Sequence, residues 1–175
     1  MRKVILYIAM SLDGYIADKI GGVDFLVGDG SEPDNTGSYL SFIETIDTII
    51  MGYTTYHQIV TELSPNEWVY KGKKTYVLTS KDEQSTDEII FTSFDLKSLL
   101  NKLKSDDGKS IWICGGASIV NQALDLIDQF CITIIPTILG DGIPLFAKRK
   151  NELPVKLVTT KQYNGIIDLI YERRL

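Results

Sequence analysis

The chain has 175 residues, 44% hydrophobic and 23% charged, with 18 basic against 23 acidic side chains, a formal net charge of −5 and a pI near 4.9. A chain of this length buries roughly 70% of its unfolded surface, so one domain, 1–175, with a real core is expected. The acidic balance argues against a nucleic-acid or anionic-membrane partner, both of which call for a basic field; an anionic ligand would have to be held by local geometry.

Residues 4–9, within "MRKVILYIAMSLDGYIAD", read as a strand stopped by Asp13-Gly14. No cleavage site follows and no apolar stretch is long enough to span a bilayer, so a soluble, cytoplasmic protein is expected. Segment 28–37, "GDGSEPDNTG", reads as an exposed loop. Residues 38–46 place Tyr39, Phe42, Ile43 and Ile46 on one helical face. A strand at 47–51 runs into Gly52, and Thr54 or Thr55 would cap the helix carrying Tyr56, Ile59, Val60 and Leu63. Strands follow at 75–79 and 89–92, then a helix over 96–103 with Leu96, Leu99, Leu100 and Leu103 on one face. A strand at 110–114 meets Gly115-Gly116 and a further helical stretch, and another strand covers 130–135. The last 21 residues are two extended runs joined by Asn164-Gly165, the dipeptide of a type I′ hairpin.

This alternation predicts an α/β fold: a mostly parallel central sheet with helices on both faces and a carboxyl-terminal antiparallel hairpin. In such a sheet the junctions at Gly52, at Thr79-Ser80-Lys81 and at Gly115-Gly116 share one edge, where bare backbone and helix N-termini suit a dinucleotide pyrophosphate. Lys81 would pair with an extra phosphate. Neither GxxxxGK[ST] nor a GxGxxG that follows a strand and opens a helix is present, which excludes a plain P-loop or Rossmann domain. Cys114 and Cys131 lie in apolar runs and read as buried thiols, without zinc spacing. The acidic loops lack the ligand spacing of an EF-hand, so no metal is expected. His57, the single histidine, reads as an ordinary helix side chain. Phe25, Trp68 and Tyr70 would either stack on a planar ring or pack in the core.

Four segments, "AMSLDGYIAD" at 9–18, "IIMGYTTY" at 49–56, "IWICGGASIVNQAL" at 111–124 and "LIDQFCITIIPTILGDGIPLF" at 126–146, carry a resemblance to a known family. In this order the chain resembles the dihydrofolate-reductase-like superfamily, and especially the branch of the carboxyl-terminal reductase domain of the riboflavin-biosynthesis deaminase/reductase. The resemblance implies that fold and NADPH as cofactor. It implies that Ala9, Ile16 and Ala17 line the nicotinamide, and that Gly52, Tyr53, Thr54 and Thr55 match a phosphate segment in which Tyr53 replaces an arginine. It further places Thr79, Ser80 and Lys81 beside the adenosine 2′-phosphate, and Gly115, Gly116, Ala117, Ser118 and Ile119 over the pyrophosphate. A homodimer is implied by the same branch.

Two departures accompany it. The acidic helix residue of dihydrofolate reductases falls near Thr36 here, which argues against dihydrofolate itself, and Cys114 stands where the riboflavin reductases commonly carry glutamate. The reading is therefore an NADPH-dependent reductase passing hydride to a small, heterocyclic, pteridine- or pyrimidine-like substrate. The alternatives are 5-amino-6-(5-phosphoribosylamino)uracil reductase and a non-catalytic NADPH-binding module. Asp13, beside the expected nicotinamide, and Asp24 are the candidate proton donors; Asp13 equally suits an Asp-Gly turn.

Overall fold

The computed structural model describes residues 1–174. The strands are β1 (Val4–Ser11), β2 (Tyr15–Ala17), β3 (Ile46–Gly52), β4 (Lys74–Leu78), β5 (Ile89–Thr92), β6 (Ser110–Gly115), β7 (Gln129–Ile135), β8 (Ile143–Pro144), β9 (Val155–Tyr163) and β10 (Ile166–Arg173). The helices are α1 (Tyr39–Glu44), α2 (Tyr53–Gln58), α3 (Leu96–Ser105) and α4 (Ala117–Ala123); α2 continues as one π-helical turn, Ile59–Leu63. Eight strands form one sheet in the order β5-β4-β3-β6-β1-β7-β10-β9, and β2 pairs with β8 beside it. From β5 to β7 every neighbouring pair is parallel, whereas β10 runs antiparallel to both β7 and β9.

The direction of travel across the sheet decides which face each helix covers, because crossovers between parallel strands are right-handed. The path β1, β3, β4, β5 moves one way and lays α1 and α2 on one face. The return through β6 to β7 lays α3 and α4 on the other. Two cores result: Val4, Leu6, Ile50 and Ile113 pack under α3 and α4, while Ile5, Ile49, Met51 and Trp112 pack under α1 and α2.

Local chemistry agrees with these positions. Asp95 caps α3 by accepting the Ser98 N–H at 2.9 Å. The four leucines of α3 are no more than 5% exposed, each burial worth about 1.5–3 kcal/mol. Asn164 and Gly165 both have positive φ, 47° and 71°, as a type I′ turn requires.

Two expectations need correction. α1 ends at Glu44, and Ile46 opens β3 opposite Ser110, because the run from Ile46 to Ile50 serves the ladder better than a helix. α2 is capped by Gly52 in extended conformation, not by Thr54 or Thr55; β3 runs into the helix without a linker, so both threonines fall inside its first turn.

Asp13 latches the β1–β2 turn to the 137–140 loop. Its carboxylate accepts the Ser11 hydroxyl at 2.6 Å and the N–H groups of Leu139 and Gly140 at 3.0 and 2.7 Å. These donors, the Ser11 hydroxyl foremost, hold its pKa down at about 2. The latch is therefore fully made above the ordinary aspartate pKa and is lost as pH falls through about 2. Thermal unfolding followed from pH 5 to pH 2 should show a smaller acid-induced loss of stability for Asp13→Asn than for the parent chain; parallel curves would mean that the latch contributes nothing.

Candidate functional site

Parallel pairing delivers the carboxyl ends of β4, β3, β6 and β1 to one rim. In register, Leu78 lies beside Gly52, and Gly115 lies beside Met51. Thr79-Ser80-Lys81, the start of α2 and the start of α4 thus stand side by side, as the sequence predicts.

The three glycines are there for different reasons. Gly115 has φ +127°, a backbone conformation that side chains rarely adopt. A Cβ on Gly52 would lie 3.2 Å from Ile119 Cγ1, so close packing of α4 on β3 keeps that position bare. Neither reason applies to Gly116. Its φ of −72° suits any residue, and a Cβ there would meet only Thr55 Oγ1, at an ordinary 3.4 Å. The fold has room for a Cβ at 116 and the chain puts none there, which leaves main chain open between the first turns of α2 and α4. The Gly115–Gly116 peptide bond is cis.

Around this opening Thr55 is half-buried, and Thr54 and Ser118 are exposed. Ala117 is half-buried in the first turn of α4, and Ile119 is buried against Gly52. Outward along the rim, Thr79, Ser80, Lys81, Asp82, Glu83 and Thr92 belong to the lining of a groove of about 290 Å³. Lys81 Nζ stands 3.9 Å from the centre of the Tyr53 ring, and Tyr53 donates its hydroxyl to Glu83 at 2.8 Å. Tyr53 thus occupies the arginine position of the resemblance as a platform that carries a cation instead of being one. Thr79 Oγ1 accepts the Lys81 N–H and shapes the turn.

The inner end of the rim is β1. Ala9 is half-buried and follows Tyr7 on the face that carries α1. Ile16 is half-buried and packs toward the opposite core, and Ala17 is buried with its carbonyl against Gly142. Tyr7 stacks on Phe42 of α1 at 4.3 Å, with Tyr39 and Trp112 edge-on at 6.1 and 6.4 Å. Trp68 and Tyr70 continue this aromatic layer toward Trp112, and Phe25 is half-buried.

Sequence reasoning missed a polar centre on the same face. Asp168, 2% exposed, accepts hydrogen bonds from Thr133 Oγ1 at 2.6 Å, from the Tyr163 hydroxyl at 3.2 Å and from the Ser38 N–H at 3.1 Å. Burial first, and then the Asp168 charge, push the Tyr7 phenol well above its ordinary value. The signal was present: an acid in the middle of the apolar run "GIIDLIYE".

At neutral pH Asp13 is an anion with its oxygens engaged. Asp24 is exposed in the turn that the Leu26 N–H closes on Val23 O. Burial pushes the Cys114 thiol up to about 12, so it carries no thiolate. Among the described residues no group of three His, Cys, Asp or Glu side chains is placed to hold a metal, and no helix is long and apolar enough to cross a membrane. An apolar pocket of about 380 Å³ opens on the other face, between Met10, Leu124, Phe146 and Tyr171, and no predicted site residue lines it.

Comparison with known proteins gives the same architecture. Residues 2–167 match the RibD C-terminal domain. The uncharacterized protein YwjB of Bacillus subtilis (strain 168) is 40% identical over 98% of both chains. The crystal structure of a putative riboflavin biosynthesis protein from Shewanella sp. PV-4 superposes over 99% of both chains with a TM-score of 0.84 at 28% identity. Dihydrofolate reductase from Enterococcus faecalis, complexed with NADP(H) and RAB-propyl, superposes over 98% of this chain and 96% of its own with a TM-score of 0.67; at 16% identity the likeness is one of fold. The chain therefore belongs to the RibD C-terminal domain family and has the fold of dihydrofolate reductase.

Proposed function

We propose that the protein is an NADPH-dependent reductase acting on a small heterocyclic compound. The observation that carries this reading is Gly116, where φ and the space around a Cβ would both admit a side chain and which lies between the openings of α2 and α4. A bare main chain at a helix start is where a pyrophosphate is held, and family membership supports the same cofactor. The residues fit that cofactor from end to end. Thr79, Ser80 and Lys81 would meet the 2′-phosphate; Gly52, Tyr53, Thr54 and Thr55 and the stretch from Gly115 to Ile119 would hold the pyrophosphate; and Ala9, Ile16 and Ala17 would border the nicotinamide.

When bound, NADPH supplies the hydride; the chain supplies orientation and electrostatics. The aromatic face of Tyr7, Tyr39 and Phe42 beside Ala9 suits a flat ring. Asp13, its oxygens engaged by Ser11, Leu139 and Gly140, shapes the turn, and Asp24, directly or through water, is the other candidate donor. The same reading has the enzyme working in the cytoplasm as a homodimer. A narrower version, with 5-amino-6-(5-phosphoribosylamino)uracil as substrate, is favoured by the Shewanella relative, a putative riboflavin biosynthesis protein.

Isothermal titration with NADPH, followed by a screen of pteridines, pyrimidines including that uracil, and simple imines for loss of NADPH absorbance, tests the reading. No affinity at millimolar NADPH would overturn it, and binding without oxidation of any panel member would point to a non-catalytic module. Gly116→Val should weaken NADPH at least tenfold, because a branched side chain blocks close approach to the main chain there. Lys81→Ala should weaken NADPH several-fold more than NADH. Equal losses for the two cofactors would remove Lys81 from the 2′-phosphate.

A further inference from the structure

The segment 28–37 reads from sequence as an exposed loop, yet the carboxyl-terminal hairpin holds it, and Ser38 after it, at several points. At the hairpin tip the Asn164 carbonyl accepts the Asp29 N–H at 2.9 Å and its side-chain oxygen accepts the Glu32 N–H at 3.1 Å. Lower down, Lys161 donates to the Gly37 carbonyl at 2.8 Å. The Tyr163 ring presses on Gly37, where a Cβ would overlap it and where φ is +61°. The innermost tie is Asp168, which bonds the Ser38 main chain at the entry to α1 with one oxygen and Thr133 and Tyr163 with the other.

The sheet register gives this tie its meaning. Thr133 pairs with Asp168 across β7 and β10 and with Ala9 across β7 and β1, so Ala9, Thr133 and Asp168 form one row on the α1 face. Side chains in a row of neighbouring strands stand about 4.8 Å apart. Ala9 borders the nicotinamide in the proposed reading; Tyr39 and Phe42 of α1 supply the wall against Tyr7. A single carboxylate, nearly sealed from water and held by three donors, therefore links the row under the cofactor to the helix that forms the facing wall. Charge-assisted bonds of this kind are short and directional. Removing the carboxylate leaves buried donors without a partner.

We propose that Asp168 is a positioning residue for the substrate side of the cleft: bonded at once to Thr133 and to the Ser38 main chain, it fixes α1 against the Ala9 row. The functional half of this proposal rests on the reductase reading; the structural half does not. Asp168 touches neither cofactor nor substrate and acts through α1 and Thr133. The hairpin tip, with Asn164, Lys161 and Tyr163, extends the same clasp over the approach to α1.

Asp168→Asn keeps the shape and removes the charge. Amide hydrogen exchange in this variant should rise at least tenfold over residues 36–44 and stay within twofold over β3, β4 and β6. In a Trp68→Phe background, where Trp112 is the remaining tryptophan, its emission should shift to the red as Phe42 and Tyr39 move off it. NADPH affinity should stay within twofold, while KM for whichever panel compound is reduced rises at least tenfold and kcat changes less than threefold. Unchanged exchange over 36–44, or a rise spread evenly over the sheet, would overturn the proposal, as would a fall in kcat with KM unmoved. Should the variant not fold, Tyr163→Phe removes a single donor and should loosen 36–44 in milder form. Local loosening in a chain whose parent has no affinity for NADPH would defeat the reductase reading and leave the clasp standing.

Discussion

The constraint on which the rest depends is the common direction of the six strands from β5 to β7. Once neighbouring strands are parallel, each must be joined by a crossover, and each crossover must turn the same way. Every one of those strands then ends at the same rim, and the reversal of travel at β5 sends the later helices to the opposite face. The first turns of α2 and α4, which belong to opposite faces, come to adjoin at Gly52 and Gly116. An opening between two helix starts is thus a consequence of chain path, and residue choice decides what may approach it.

At that opening the chain keeps its cations few and its backbone bare. Lys81 is held over the Tyr53 ring close to Glu83 instead of standing in a field of like charge. With a net charge of −5, long-range attraction for a phosphorylated ligand would be weak, and in the proposed reading main-chain donors at short range would supply the specificity. Inward from that rim, the face that carries α1 and α2 is built for shape. There the aromatic layer from Tyr7 to Trp68 is set by the partners of Trp112, whose indole donates to the Tyr7 carbonyl at 2.9 Å.

The family signature "LGDGIPLF" shows how a motif divides between chemistry and scaffold. Gly142 is required because the Ala17 carbonyl lies where a Cβ would stand, and Leu145 is fully buried. Asn121 of α4 donates to the Leu145 carbonyl and accepts the Ala147 N–H. Asp141 pairs with Lys19 at the surface. These contacts draw the loop after β7 across α4 and against β2, and with the Asp13 latch they set the turn beside the proposed nicotinamide position.

The sequence by itself determined whatever depends on near neighbours. The strand and helix periods, the type I′ turn at Asn164-Gly165, the leucine face of α3 and each single segment that carries the family resemblance are patterns among residues close in the chain. Tertiary structure decided what depends on partners far along the chain. It separated three glycines that look alike in sequence, because the neighbour that matters to Gly52 is Ile119 and the space that matters to Gly116 lies beside Thr55. It gave the Asp13 carboxylate its partners Leu139 and Gly140, 126 and 127 residues away. It also made an unremarked strand acid, Asp168, the meeting point of Ser38, Thr133 and Tyr163. Hydrogen-bond partners and packing distances are properties of the folded arrangement, and no local pattern encodes them.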